Sequence, residues 1–293
     1  MSRIKLKYKA IVLMILSAFC FAVMNLLVRM SGDIPAFQKS FFRNLVAVFF
    51  ALIIILKNRT GFRWKKGNLK FLLLRSAVGT IGIVCNFYAL GNIPLSDASM
   101  LIKMSPFFVI IFSIIILKES LTFVQGFAVF MAFVGTLFII KPTFQNVELL
   151  PSAIGLLGGL SAGFAYTMVR ILGQRGENGS LIVFFFSAFS CISMLPFLVF
   201  DFHPMEWWQL LMLLGAGLAA TGGQFSITAA YSNAPAREIS VYDYSQIIFA
   251  TTLGFIFLGE VPDIYSVIGY VVICSMAVLT FMYNNKKGPF RRK

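Results

Sequence analysis

This 293-residue sequence predicts an all-α membrane protein of ten transmembrane helices, arranged as two inverted five-helix repeats, on three observations. The first is composition: 59% of residues are hydrophobic, 12% are charged, and the mean hydropathy is +0.86. That charged share is about half that of an ordinary soluble domain. The second is a succession of apolar runs of about 20 residues, each long enough to cross hydrocarbon as a helix. The third is internal repetition, which has to be settled before any local reading. At an offset of 141 residues, Ala89 to Glu119 aligns without a gap with Ala230 to Glu260. That register pairs Asn92 with Asn233, Pro94 with Pro235, Ser99 with Ser240, Phe108 with Phe249 and Glu119 with Glu260. It also pairs Val28-Arg29 with Val169-Arg170, so the chain divides into repeats over 1–146 and 147–293.

Taken in order, the spans fall at 9–30, 37–56, 69–91, 96–117, 122–140, 151–171, 180–200, 206–230, 239–258 and 263–283. The first opens with Arg3, Lys5, Lys7 and Lys9, as a signal peptide would, but its apolar run continues to Met30 without a small-residue cleavage site. It therefore reads as a retained helix. Ser31-Gly32-Asp33, Asn92-Ile93-Pro94, Lys141-Pro142, Gly176 to Gly179 and Asn233-Ala234-Pro235 supply the turns between spans.

Loop charge gives the orientation. One side carries Lys57, Arg59, Arg63, Lys65, Lys66, Lys70, Lys118, Arg175, Arg237 and both basic termini. The other carries Arg29, Lys39 and Lys141 beside Asp33, Asp97, Glu148, Asp201, Glu206, Glu260 and Asp263. Every alternate loop agrees, which predicts two cytoplasmic termini in an inner or plasma membrane and an even number of spans. This alternation also accounts for the net charge of +14 and argues against nucleic-acid binding. A five-helix unit must enter the membrane the other way up the second time. Inverted repeats of that kind are characteristic of secondary transporters, whose sites lie near the midplane between the repeats.

Two motif pairs carry a family resemblance. In the fourth span they are Ser105-Pro106-Phe107-Phe108 and then Leu117-Lys118-Glu119; in the ninth, Gln246-Ile247-Ile248-Phe249 and then Leu258-Gly259-Glu260. Arg43 and Tyr88-Ala89-Leu90 match as well. With these the sequence resembles the EamA-type branch of the drug/metabolite transporter superfamily, over about 280 residues and both halves. The resemblance implies a membrane transporter and is nearly silent on substrate. Ile247 stands where the family's second motif has proline, so the ninth helix is expected to be straighter than the fourth.

Each central stretch holds one charge inside apolar sequence, Lys103 in the first and Asp243 in the second. A charge at bilayer depth costs from about 3 kcal/mol to 10 or more, so it faces a partner, water or the bundle interior. Two readings compete: a structural ion pair, or two halves of a site for a substrate with both an acidic and a basic group. Counting 1.5 Å per residue from opposite faces separates the two backbones by roughly 10–15 Å in depth, which disfavours direct pairing. Asp243 is also the only carboxylate well inside a span, which makes it the candidate for proton coupling, with uncoupled facilitation or exchange the alternative.

Polar residues at helical spacing extend the candidate lining. Asn25 follows Ser17 and Phe21 on the first span, and Tyr166 occupies the repeat position of Asn25. Asn86 follows Gly79 and Gly82, while Gln224 and Thr228 belong to a stripe with Thr221 and Tyr231. Ser240, Tyr244 and Gln246 flank Asp243, with Ser240, Asp243 and Gln246 on one face. For any one Ser or Thr, a hydrogen bond between helices is the plainer account. Arg43, near the outer end of its helix, either reaches the headgroups or neutralises a substrate carboxylate. Arg75 reads as structural, within reach of the cytoplasmic interface. Gly155, Gly158, Gly159 and Gly163 predict close helix approach.

Cys20, Cys85, Cys191 and Cys274 lie in spans without ligand spacing, and His203 has no companion, so neither a metal nor a cofactor is predicted. An enzyme would need His, Asp or Glu clustered at one depth, and the spans contain no such cluster. The expected partners are a small polar metabolite and lipid, with protons and a homodimer left open. The alternatives in another class are a lipid flippase, which needs a lateral polar groove, or a membrane partner protein that transports nothing.

Overall fold

A computed structural model describes residues 3–59, 61–92, 101–140, 149–259 and 264–286. Among them every regular element is helical. The helices are α1 (Arg3–Met30), α2 (Ala36–Lys57), α3 (Leu69–Asn92), α4 (Ser105–Leu117), α5 (Phe123–Ile140) and α6 (Leu149–Gln174). They continue with α7 (Gly179–Phe200), α8 (Trp207–Asn233), the short α9 (Ala236–Ile239), a 3-10 turn (Ser240–Tyr244), α10 (Ser245–Leu258) and α11 (Ile264–Lys286).

Seven stretches are long and apolar enough to cross a membrane, the last of them running from Ala236 through Leu258. Shorter apolar helices occur at Ser105–Leu117, Phe123–Phe138 and Val267–Tyr283. Large side chains cover the outside, with Phe123 87%, Phe200 89% and Trp207 83% exposed. Apolar exposure on this scale needs lipid to cover it. The chain is a multi-pass membrane protein.

Tight ends come from local chemistry. Asn92 Nδ2 donates to Tyr88 O at 2.8 Å, and its repeat partner Asn233 Nδ2 donates to Ala229 O at 2.7 Å, so matched asparagines close α3 and α8 in the same way. Pro106 begins α4, where a missing N–H costs nothing. Repeat-matched Lys118 and Gly259 end α4 and α10 in the left-handed region, at φ 54° and φ 69°. Asn178 accepts from Ser180 N to start α7, and Glu206 and Gln209 form a capping box on α8.

Two sets of loop contacts give helix direction. The end of α1 meets the start of α8 through Gln209 Nε2 and Ser31 O at 3.1 Å, and Gln38 near the start of α2 exchanges two hydrogen bonds with His203. At the opposite end, Glu177 just beyond α6 accepts from Asn68 Nδ2 at 2.7 Å and from Lys65 N at 3.1 Å before α3. Helices α1 and α6 therefore run in opposite directions through the bundle. Packing follows the same exchange: α1 lies on α8 as α6 lies on α3, and α1 lies on α10 as α6 lies on α4.

Helix α6 presents glycine where α4 arrives. A Cβ on Gly159 would stand 2.5 Å from Leu101 O, and one on Gly163 would stand 2.4 Å from Phe108 Cβ. Only hydrogen fits there, so the chain around Lys103 can lie directly on α6.

The expectation of a straighter ninth helix is overturned. In the first half the helix stops after Ile102, turns at Lys103-Met104 and restarts at Ser105. In the second half, without a proline, α9 gives way to five residues of 3-10 helix before α10. Ser240 Oγ donates to Ala236 O, and Ser245 Oγ donates to Tyr242 O at 2.7 Å. Side-chain hydroxyls competing for main-chain oxygens loosen a helix as a proline does. Tyr242 and Tyr244 then tie the turn outward, to Ala277 O and Lys103 O.

Candidate functional site

The two interrupted helices meet at the centre. Tyr244, the repeat match of Lys103, donates its hydroxyl to Lys103 O at 3.3 Å. Lys103 Nζ lies 3.2 Å from Asp243 Oδ2, 3.4 Å from Asp243 O, and donates to Gln246 Oε1 at 2.7 Å. The side chains of the pair are 7% and 11% exposed, so this is a buried ion pair joining the halves. The depth separation expected from regular helices is thus corrected. Lys103 and Tyr244 occupy the same repeat position, and both chains leave α-helical geometry there, so their backbones come within a side-chain length.

A cavity of about 140 Å³ opens beside the pair, walled by α1, α2, α3, α6, α7, α8 and the interrupted segments. It gathers Asn25, Arg43, Asn86, Lys103, Tyr166, Gln224, Asp243 and Gln246, eight of the residues singled out from sequence. Asn25 is exposed, while Arg43 is 7%, Gln224 4% and Asp243 8% exposed. Tyr166 stacks on Tyr231, with centroids 5.2 Å apart and planes at 19°.

Three candidates fall outside the lining. Thr228, one turn past Gln224, is buried with its Oγ1 unpartnered among the described residues and does not line the cavity. Ser240 spends its hydroxyl on Ala236 O, and Tyr244 packs behind Lys103 with its hydroxyl on the main chain. Ser240 and Tyr244 shape the 3-10 turn instead of meeting the chamber, while Thr228 Cγ2 lies toward Gly179 at the start of α7. For Ser240 and Tyr244 the periodicity assumed a continuous helix, which the turn interrupts.

Arg75 is also corrected. It is 3% exposed and lines the cavity instead of reaching an interface. Its guanidinium lies 4.0 Å from the centroid of Phe186 and 5.8 Å from that of Tyr166, and Nη2 donates to Gln224 Oε1 at 3.3 Å. Space for it comes from Gly79, one turn along α3: a Cβ there would stand 2.2 Å from Arg75 Nη1. The Gly79 spacing was the available signal, since a glycine four residues after an arginine clears the face the side chain crosses. Ser105 and Phe186 join the lining without having been anticipated.

A second interhalf pair lies at the end of the bundle where α4, α6 and α8 finish. Arg170 Nε meets Glu119 Oε1 at 3.2 Å, and Nη1 approaches the carbonyls of Tyr231 and Ser232 at 3.4 and 3.3 Å. Glu260, the repeat partner of Glu119, lies outside the described residues.

Fold and site together define a class: a multi-pass membrane protein with a buried, charged chamber between its halves. The chain matches the EamA-like transporter family twice, over residues 8–141 and 150–282, and it belongs to that family of membrane transporters. It is 33% identical over 282 residues to the pseudopaline exporter CntI of Pseudomonas aeruginosa, covering 95% of this chain and 97% of the exporter. It is 28% identical to human solute carrier family 35 member G1, over 90% of this chain and 76% of that one. A solved crystal structure superposes with a TM-score of 0.82 over 95% of this chain and 98% of its own, at 14% identity, a likeness of fold.

Proposed function

We propose that this protein is a secondary transporter that moves a small, polar, amino-acid-like metabolite by alternating access. The carrying observation is the Lys103–Asp243 pair in the cavity wall, one charge from each half. A zwitterion entering there gives its carboxylate to Lys103 and its ammonium to Asp243. The internal pair is replaced by two substrate pairs, and no buried charge is left alone. That matters because an uncompensated buried charge costs several kcal/mol, enough to block the cycle. The exchange also unfastens the two halves from each other, which frees them to rock about the site.

The opposed directions of α1 and α6, and the exchanged packing of the helices around them, favour ten spans in two inverted five-helix repeats. With the positive-inside rule, both termini then lie in the cytoplasm of an inner or plasma membrane. The Arg170–Glu119 pair accordingly sits at the cytoplasmic end. Asp243 is where a proton would couple, because protonating it also breaks the pair.

Counterflow in proteoliposomes tests this reading with radiolabelled alanine, glutamate and lysine, with and without an imposed pH gradient. Lys103→Ala and Asp243→Asn each abolish counterflow of the accepted amino acid. Unchanged counterflow in both variants would sink the proposal.

A further inference from the structure

The proposed zwitterion site uses one cation and one carboxylate, yet the chamber holds more. Its described lining contains three cations, Arg43, Arg75 and Lys103, and a single carboxylate, Asp243, a surplus of two positive charges. Lys103 is matched by Asp243. The two arginines are not: among the described residues no carboxylate comes within ion-pair distance of either. Among the described residues Arg43 makes no hydrogen bond, and Arg75 makes one, to Gln224. Both Nε atoms are buried without a partner.

This is an odd arrangement for a purely structural arginine. A buried guanidinium normally satisfies its five N–H donors with carboxylates or carbonyls. Here each is held by its face. Arg43 lies over Phe21 at 5.9 Å, and Arg75 over Phe186 at 4.0 Å. Stacking occupies the plane of the guanidinium and leaves its edge donors free. The support is itself built with care. Phe21 fits only because residue 223 is glycine, whose Cβ would stand 2.8 Å from the ring, and Arg75 fits only because residue 79 is glycine. Nearby Gln224 and Asn86 add neutral polar groups but no charge.

We infer that Arg43 and Arg75 form an anion subsite and that the transported metabolite is a small polycarboxylate, carrying two or more carboxyl groups. The planar fork of arginine matches a carboxylate with two parallel hydrogen bonds, a fit that an ammonium lacks. An amino group on the same molecule takes Asp243, so acidic amino acids and larger amino-polycarboxylates fall within the class. The surplus charge also draws such anions into the chamber ahead of neutral zwitterions. This deepens the transporter reading and depends on it for the claim of transport, though not for the claim of binding.

The test is thermal melting of the purified detergent-solubilised protein with succinate, glutamate, citrate, alanine or inorganic phosphate, each at millimolar concentration. Ligand that binds the folded state raises the melting temperature by mass action. The expected result is stabilisation by succinate, glutamate and citrate, at least tenfold weaker apparent affinity for alanine and phosphate, and affinity that falls as salt rises. Arg43→Gln and Arg75→Gln should each weaken succinate at least tenfold, and Arg43→Lys should not restore it. If a variant fails to fold, the ligand comparison on the unaltered protein decides alone. Alanine binding as tightly as succinate, or no polycarboxylate binding, overturns the inference, and phosphate matching succinate overturns its assignment to carboxylates. Alanine counterflow lost in Asp243→Asn without succinate binding would refute the subsite and leave the transport reading standing. Succinate binding without counterflow of any probe would do the reverse.

Discussion

Among the described residues two ion pairs join the halves of this transporter, alike in length and burial and different in setting. Lys103–Asp243 and Arg170–Glu119 are both 3.2 Å and both largely buried. The first stands in the wall of a cavity, between two interrupted helices, beside two arginines that no carboxylate among the described residues meets. The second lies at an end of the bundle, and its arginine is further held by the carbonyls of Tyr231 and Ser232. A pair whose cation has neutral acceptors in reserve can lose its carboxylate partner and stay solvated. A pair in a cation-rich chamber gains from exchanging its partner for an anion. The Lys103–Asp243 pair is suited to recognition, the Arg170–Glu119 pair to fastening its end of the bundle.

The contrast predicts a graded set of effects. Lys103→Ala leaves Asp243 charged and alone, so it should cost about 3–5 kcal/mol of stability and lower glutamate flux at least a hundredfold, read by melting and counterflow. Gly159→Val presses on the Leu101 carbonyl, which cannot yield as a side chain would, and should cost about 1–3 kcal/mol. Its flux should fall by roughly tenfold, because the break at Lys103 is displaced, at about 1.4 kcal/mol per factor of ten. Glu119→Gln keeps the carbonyl partners of Arg170 and should cost about 1–2 kcal/mol. In that variant a cysteine placed at Ser232 should react faster with a membrane-impermeant thiol reagent from the cytoplasmic side, while succinate affinity stays unchanged. Equal losses of binding in Lys103→Ala and Glu119→Gln would erase the distinction between the pairs. Ser190→Ala removes the 2.9 Å bond from Asn44 between α2 and α7 and should cost about 1 kcal/mol with flux intact.

Much of this was legible in the chain itself. Hydropathy located most of the described helices to within a few residues, and the repeat register singled out Lys103 and Asp243, which the structure brings together in the cavity wall. Periodicity also found Asn25, Asn86, Tyr166 and Gln224. What it missed has one physical root. Helical counting assumes unbroken helices, and the two segments bearing the charges are interrupted at matched positions. That error placed Lys103 and Asp243 at different depths and brought Ser240 and Tyr244 into the expected lining. Arg75 failed for another reason: distance along a helix from a basic loop suggests an interfacial side chain, whereas Gly79 and Phe186 let it turn inward.

The central claim is that the buried pair takes part in recognition and does more than fasten the halves. Counterflow of radiolabelled glutamate by Lys103→Met/Asp243→Leu tests it most directly, because exchanging both charges for apolar residues removes the pair without stranding either partner. The expected protein melts within a few degrees of the unaltered chain, about 1 kcal/mol in stability, yet gives no counterflow. Counterflow at the unaltered rate would contradict the claim.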